Sequence, residues 1–94
     1  MRLEELLSRP GRLRIVLALL EHGSLNITRL VRLVRLSHKA VEKHLRFLMR
    51  YGLVREHRLG RVRLLSLDMD KPEARLLRAF VREWRSLPGR EAAR

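Results

Sequence analysis

The sequence has no cysteine among its 94 residues. Disulfides, zinc ribbons and thiol chemistry are therefore excluded, and no redox compartment can be read from it. No apolar run approaches the ~20 residues that a membrane-spanning helix needs. The opening Met1-Arg-Leu-Glu-Glu-Leu-Leu-Ser8 carries two acids and reads as an amphipathic turn or two rather than a signal peptide, so cytoplasmic residence is expected. No serine–histidine–aspartate spacing, glycine-rich phosphate loop or paired carboxylates point to catalysis. The four histidines, His22, His38, His44 and His57, never pair at i, i+3 or i+4, and no acidic cluster joins them. Neither a metal site within one subunit nor a cofactor is expected.

Acid is also scarce. Asp plus Glu number 10 against 22 Lys plus Arg, a formal net charge of +12. Such a charge on so small a body attracts polyanions over several Debye lengths at low salt. Nucleic acid is the first candidate partner and an anionic membrane surface the second. Only Lys39, Lys43 and Lys71 are lysines. Arginine suits phosphate forks and guanine edges, but arginine-rich codon use gives the same composition, so this preference decides little.

A chain of this length reads as one domain, 1–94, that buries roughly two-thirds of its unfolded surface. It supports one modest core and little enclosed space. Hydrophobic residues make 46% and charged residues 34%, which suits a folded, soluble protein.

Periodicity supplies the elements. Leu3, Leu6 and Leu7 share one side of a short helix. Ser8 offers an N-cap for a helix over Arg9–His22, with Pro10 in its first turn and Gly23 as its stop. Leu13, Val16, Leu17 and Leu20 fit an i, i+3, i+4, i+7 stripe, and Ile15 and Leu19 add a second. A helix this apolar is central to the domain or meets a partner as well. Ser24-Leu25-Asn26 reads as extended. Asn26 can cap a helix over Ile27–Val34, with Ile27, Leu30, Val31 and Val34 inside and Thr28, Arg29 and Arg32 outside.

Arg35-Leu36 makes a tight turn and Ser37 caps the next helix, which runs to Tyr51. Val41, Leu45 and Leu48 face inward there, flanked by Ala40 and Met49, and Gly52 ends it. Leu53–Arg58 and Arg61–Leu67 are β-prone runs around Leu59-Gly60, a hairpin signal. Asp70 with Glu73 resembles a capping box, and Pro72 fits the first turn of a last helix reaching Leu87. Residues 88–94 are expected to fray.

The order is helix, helix, short strand, helix, helix, hairpin, helix: mainly α with a small β-hairpin. The runs Pro10-Gly-Arg-Leu-Arg-Ile-Val-Leu-Ala-Leu-Leu20, Ile27-Thr-Arg-Leu-Val31, Leu36-Ser-His-Lys-Ala-Val-Glu-Lys-His-Leu45 and Tyr51-Gly-Leu-Val-Arg55 resemble the ArsR-like winged helix-turn-helix regulators. The resemblance covers about residues 9–67, the expected winged-helix core. It implies a homodimer that binds operator DNA, with the Ser37–Tyr51 helix in the recognition role and the Leu53–Leu67 hairpin as the wing. Three departures stand out. Metal sensors of the family carry thiolates on the helix before the turn, where this chain has Asn26-Ile-Thr-Arg-Leu-Val31, so thiolate sensing is excluded. The turn often has glycine where this chain has Arg35. A left-handed conformation there would cost about 1 kcal/mol, so a differently shaped turn is expected. The wing turn is short, with reach for the nearest phosphates only.

Residues near the N-terminus of a recognition helix reach base edges in such docking. Ser37, His38, Lys39, Glu42, Lys43 and Arg46 are the candidates on this helix. His38, Lys39, Glu42 and Lys43 are expected to read bases and Arg46 to grip backbone. Lys39 or Lys43 can donate to guanine, and Glu42 can accept from cytosine N4. Arg55, Arg58, Arg61 and Arg63 are the wing and backbone candidates. From Ser37 to Arg63 eight cations face two acids, half the net charge on under a third of the chain. The same residues would also make a plain solvated helix face.

Leu76, Leu77, Phe80, Val81, Trp84 and Leu87 give the last helix more apolar bulk than an edge helix should leave in water. With Leu3, Leu6 and Leu7 they form the expected dimer interface, from helices in 1–8 and 70–87; packing of the last helix onto the first is the other use of that face. The leading expectation is a sequence-specific, homodimeric regulator of double-stranded DNA, with no membrane partner and no effector named. Charge without readout gives the same composition, so a nonspecific chromatin-type or RNA-binding protein is the second reading. A winged-helix module that binds protein is the third.

Overall fold

The computed structural model describes residues 1–89. Its elements are α1 (Leu3–Leu7), α2 (Pro10–His22), β1 (Ser24–Asn26), α3 (Ile27–Val34), α4 (His38–Arg50), β2 (Val54–Leu59), β3 (Val62–Leu67) and α5 (Pro72–Ser86). The fraying expected for 88–94 falls largely on residues outside those described.

Helix α2 lies at the centre, touching α1, α3, α4, β1 and β3. Its buried residues are Ile15, Val16 and Leu19. Of the stripe predicted as primary, Leu13, Leu17 and Leu20 are only partly buried. The second stripe carries more of the packing, because a helix covered on several sides has no single inner face. Around it Leu25, Leu30, Val34, Val41, Leu45, Leu48, Leu53, Val54, Leu65 and Leu67 close one continuous core.

Local capping chemistry sets two helix starts as predicted. The Asn26 Oδ1 accepts from the Arg29 amide at 2.8 Å, and the Ser37 Oγ accepts from the Ala40 amide at 3.1 Å. Two other caps differ. The N-cap of α2 is Arg9, not Ser8, and that of α5 is Lys71, not Asp70; neither makes a side-chain cap bond. Both helices begin with proline at N1 or N2. That position has no amide hydrogen to satisfy, so the pressure for a capping oxygen is weaker. The Asp70–Glu73 capping box is absent, and the Asp70 amide donates instead to Asp68 Oδ1 at 3.1 Å.

Arg35 is left-handed, with φ 57° and ψ 42°. It is the one non-glycine residue with positive φ among those described. The turn therefore keeps the shape that glycine usually serves, contrary to the sequence expectation. Two anchors hold it there. Val34 is buried and Leu36 packs against the core, while Arg14 Nη1 donates to the Val34 carbonyl at 3.1 Å.

The sheet order is β1-β3-β2, antiparallel throughout. Leu25 pairs with Leu65, and Val54 pairs with Leu67, so the base of the hairpin is sewn into the core. At the tip Leu59 pairs with Val62 across Gly60-Arg61. Gly60 alone of these takes positive φ, 61°, the pattern of a type II′ turn.

Helix α5 buries only Ala74 fully. Leu77 packs against the core, whereas Leu76, Phe80, Trp84 and Leu87 are exposed. The Phe80 and Trp84 rings stack with centroids 6.1 Å apart. Leu3 and Leu7 are exposed, but Leu6 is only 2% exposed. Leu6 is therefore a core residue of its own chain and leaves the set expected to meet a partner. On a five-residue helix lying against α2, one side must be spent inward.

Candidate nucleic-acid interface

The Ser37 cap and the wholly buried Val41, Leu45 and Leu48 fix the orientation of α4. The opposite face then has to meet solvent. His38, Lys39, Lys43 and Arg46 are exposed along it. Lys39, Lys43 and Arg46 make it a cationic row.

Glu42 is placed differently. It is half-buried, and its Oε2 accepts from Arg63 Nη1 at 2.7 Å. Arg63 Nε donates in turn to Glu56 Oε1 at 2.5 Å. His38 Nε2 stands 3.9 Å from the same Glu42 oxygen. The hydrogen bond from Arg63 holds the Glu42 carboxyl below the usual carboxylate range, against the opposing pull of burial. The same bond, with Glu56, raises the Arg63 guanidinium.

The wing arginines separate by environment. Arg63 is pinned between two carboxylates. Arg58 stands 3.6 Å from Glu56, and Arg55 stands 3.9 Å from Asp68. Both are well exposed, and pairs of that kind are worth at most about 1 kcal/mol. They can exchange a carboxylate for a phosphate at little cost. Arg61, at the wing tip, makes no ion pair among the described residues.

One part of this surface was missed from sequence. Helical periodicity places Thr28, Arg29 and Arg32 outside and gives them no role. They face the wing tip across a groove of about 520 Å³, with Arg61, Val62 and Arg63 on the far wall. The pairing of Asn26 with Leu64 brings the start of α3 beside β3. The only sequence signal was an arginine-bearing outer face just after a helix cap.

His44 sits on the side of α4 that meets α2. A Cβ added at Gly11 would lie 3.0 Å from its Nε2, so glycine permits the close approach. Its Nδ1 is buried without a hydrogen-bond partner. Burial pushes the His44 imidazole below its ordinary value, and Arg12, Lys43 and Arg9 push it the same way.

Among the described residues no three His, Asp or Glu side chains gather as a metal ion would require. No helix there is long and apolar enough to cross a membrane.

A capped helix with a free cationic face, set in a helix-turn-helix and flanked by a basic hairpin, defines a winged helix-turn-helix DNA-binding regulator. More narrowly, the chain belongs to the bacterial regulatory protein arsR family, whose family model matches residues 9–56. Solved structures agree. HlyU from Vibrio cholerae N16961 is 25% identical, over 86% of this chain and 85% of its own, with a TM-score of 0.73. Rv0081 of M. tuberculosis is 28% identical over 84% and 77%, at 0.71. The transcriptional repressor PagR of Bacillus anthracis is 25% identical over 82% and 85%, at 0.69. No curated protein matches by sequence. The family is one of regulatory proteins, and PagR is a transcriptional repressor.

Proposed function

We propose that the protein is a sequence-specific regulator that grips double-stranded DNA as a homodimer. The observation that carries this reading is the exposed row His38, Lys39, Lys43 and Arg46 on a helix whose other face is locked into the core. In the docking this implies, α4 lies in the major groove. Lys39 and Lys43 donate to base edges, while Arg46 and the cap region at Ser37 meet backbone. Arg55, Arg58 and Arg61 take phosphates on the wing side. Arg29 and Arg32 extend that track along the near wall of the groove facing Arg61.

The apolar face of α5 supports the second half of the proposal. Leu76, Phe80, Trp84 and Leu87, with Leu3 and Leu7 of α1, are an exposed set too large to leave in water without a purpose. Leu77 and Val81 border it from the partly buried side. A second copy related by a twofold axis covers such a face with itself. Two recognition helices then fall about 34 Å apart, one turn of DNA.

Selection of bound sequences from a random DNA pool at moderate salt tests both halves together. Enrichment of a palindrome is the expected result. Retention of unselected DNA with no enrichment would instead favour a nonspecific basic protein. With six or more phosphates neutralised, affinity should fall about 10³-fold or more between 50 and 200 mM salt.

A further inference from the structure

Arg63 is the most confined cation of the wing. Its side chain is 17% exposed, against 64% for Arg55 and Arg58. In the strand register Arg63 opposes Arg58 and lies two residues before the buried Leu65, so it belongs to the inward face of β3. Glu56 opposes Leu65, which makes it the diagonal neighbour of Arg63 on that same face. At Arg63 the hairpin has left the core, and its inward face meets the flank of α4 one residue beyond Val41. The guanidinium spans the gap with two separate edges. Nη1 donates to Glu42 of α4 at 2.7 Å and Nε donates to Glu56 of β2 at 2.5 Å.

A cation placed there to attract DNA would be expected to stand well exposed, as Arg61 does. This one is cancelled by two acids. Equally, an acid on a DNA-facing helix repels phosphate unless something neutralises it. The pair makes sense as a joint between the two elements that approach the duplex. We propose that Arg63 is a positioning residue which latches the wing to the recognition helix. On this proposal Glu42 sets the angle between those elements and does not read a base. The latch fixes the wing tip, so that Arg61 stays across the groove from Arg29 and Arg32 at one spacing. The role at DNA rests on the regulator reading above, whereas the latch itself is a property of the free protein.

The test uses the full chain with Arg63→Lys, Arg63→Met, Glu42→Gln and the Arg63→Met/Glu42→Gln double variant. Lysine keeps the charge but cannot bridge two carboxylates with a fork. Amide hydrogen exchange over residues 57–64 is read in the free protein. Affinity, salt slope and base preference are read on the sequence the wild type selects. Each single variant, the lysine one included, should speed exchange at the wing tip and weaken binding by about threefold to tenfold. The double variant should be no worse than either single, with the salt slope and the preferred bases unchanged. Restoration by Arg63→Lys, or a salt slope lowered by about one in Arg63→Met, would make Arg63 a phosphate ligand and overturn the proposal. A changed base at one position in Glu42→Gln alone would make Glu42 a reader and overturn it as well. If the wild type selects no sequence, the regulator reading fails, while exchange in the free variants still decides the latch: unchanged wing-tip exchange sinks it.

Discussion

The Arg12 guanidinium lies 3.5 Å from the centroid of the Phe47 ring, joining α2 to α4. Its Nη1 also donates to the Glu5 carbonyl at 2.5 Å, which ties α1 into the same contact. Three helices thus meet at one side chain. Burial is the main influence lowering the Arg12 pKa, so its charge is partly desolvated. A desolvated cation over a ring is worth more than an exposed one. Arg12→Ala should destabilise the fold by about 1–2 kcal/mol. Urea denaturation is the check, and an unchanged midpoint would show that the stacking contributes nothing.

His44 should make the stability of the fold sensitive to acid. Its folded pKa is lowered, by burial first and by Arg12, Lys43 and Arg9 next. The unfolded chain therefore binds this proton more readily than the folded one. Stability from the neutral imidazole is complete above the ordinary value of about 6.5. It declines as pH falls below that value toward the lowered folded one. His44→Gln should flatten the slope of stability against pH in this window. A slope equal to that of the wild type would assign the acid sensitivity elsewhere.

The dimer prediction turns on α5. Phe80 is 63% exposed and stacks on Trp84 within its own helix. Phe80→Glu should leave the fold intact, since the residue is outside the core, and set a charge within the proposed interface. Sedimentation at micromolar concentration should then change from a dimer to a monomer. A wild-type chain that is already monomeric would refute the interface directly.

Backbone and base contacts should respond differently to substitution. Arg29→Ala and Arg61→Ala should weaken binding evenly across sequences and each lower the salt slope by about one. Lys39→Ala or Lys43→Ala should relax preference at one base position, at a cost of about 1–3 kcal/mol there. Loss of preference in Arg29→Ala would move that residue from the backbone to the readout.

Much of this surface is legible in the sequence. The caps at Asn26 and Ser37, the inner face of α4 and its cationic outer row follow from residues within one or two turns of each other. So does the hairpin, because Gly60 supplies the positive φ that a two-residue turn demands. Ser8 and Asp70 misled as caps because the following prolines ease the need for one. Leu6 could not be told from Leu3 and Leu7 by periodicity, since which side of a short helix turns inward depends on what it lies against.

The sequence by itself determined the element order, the excess of positive charge and the residues that α4 turns outward. These rest on local backbone chemistry and on composition, which need no distant contact. Only the tertiary structure decided which partners Glu42 and Arg63 take and where Arg29 and Arg32 stand. Arg63 is 21 residues from Glu42 along the chain, and Arg29 meets the wing tip only through the pairing of β1 with β3. Spacing along one helix cannot reveal a neutralising partner on another element, so an acid that looks poised to read DNA can be spoken for by the wing beside it.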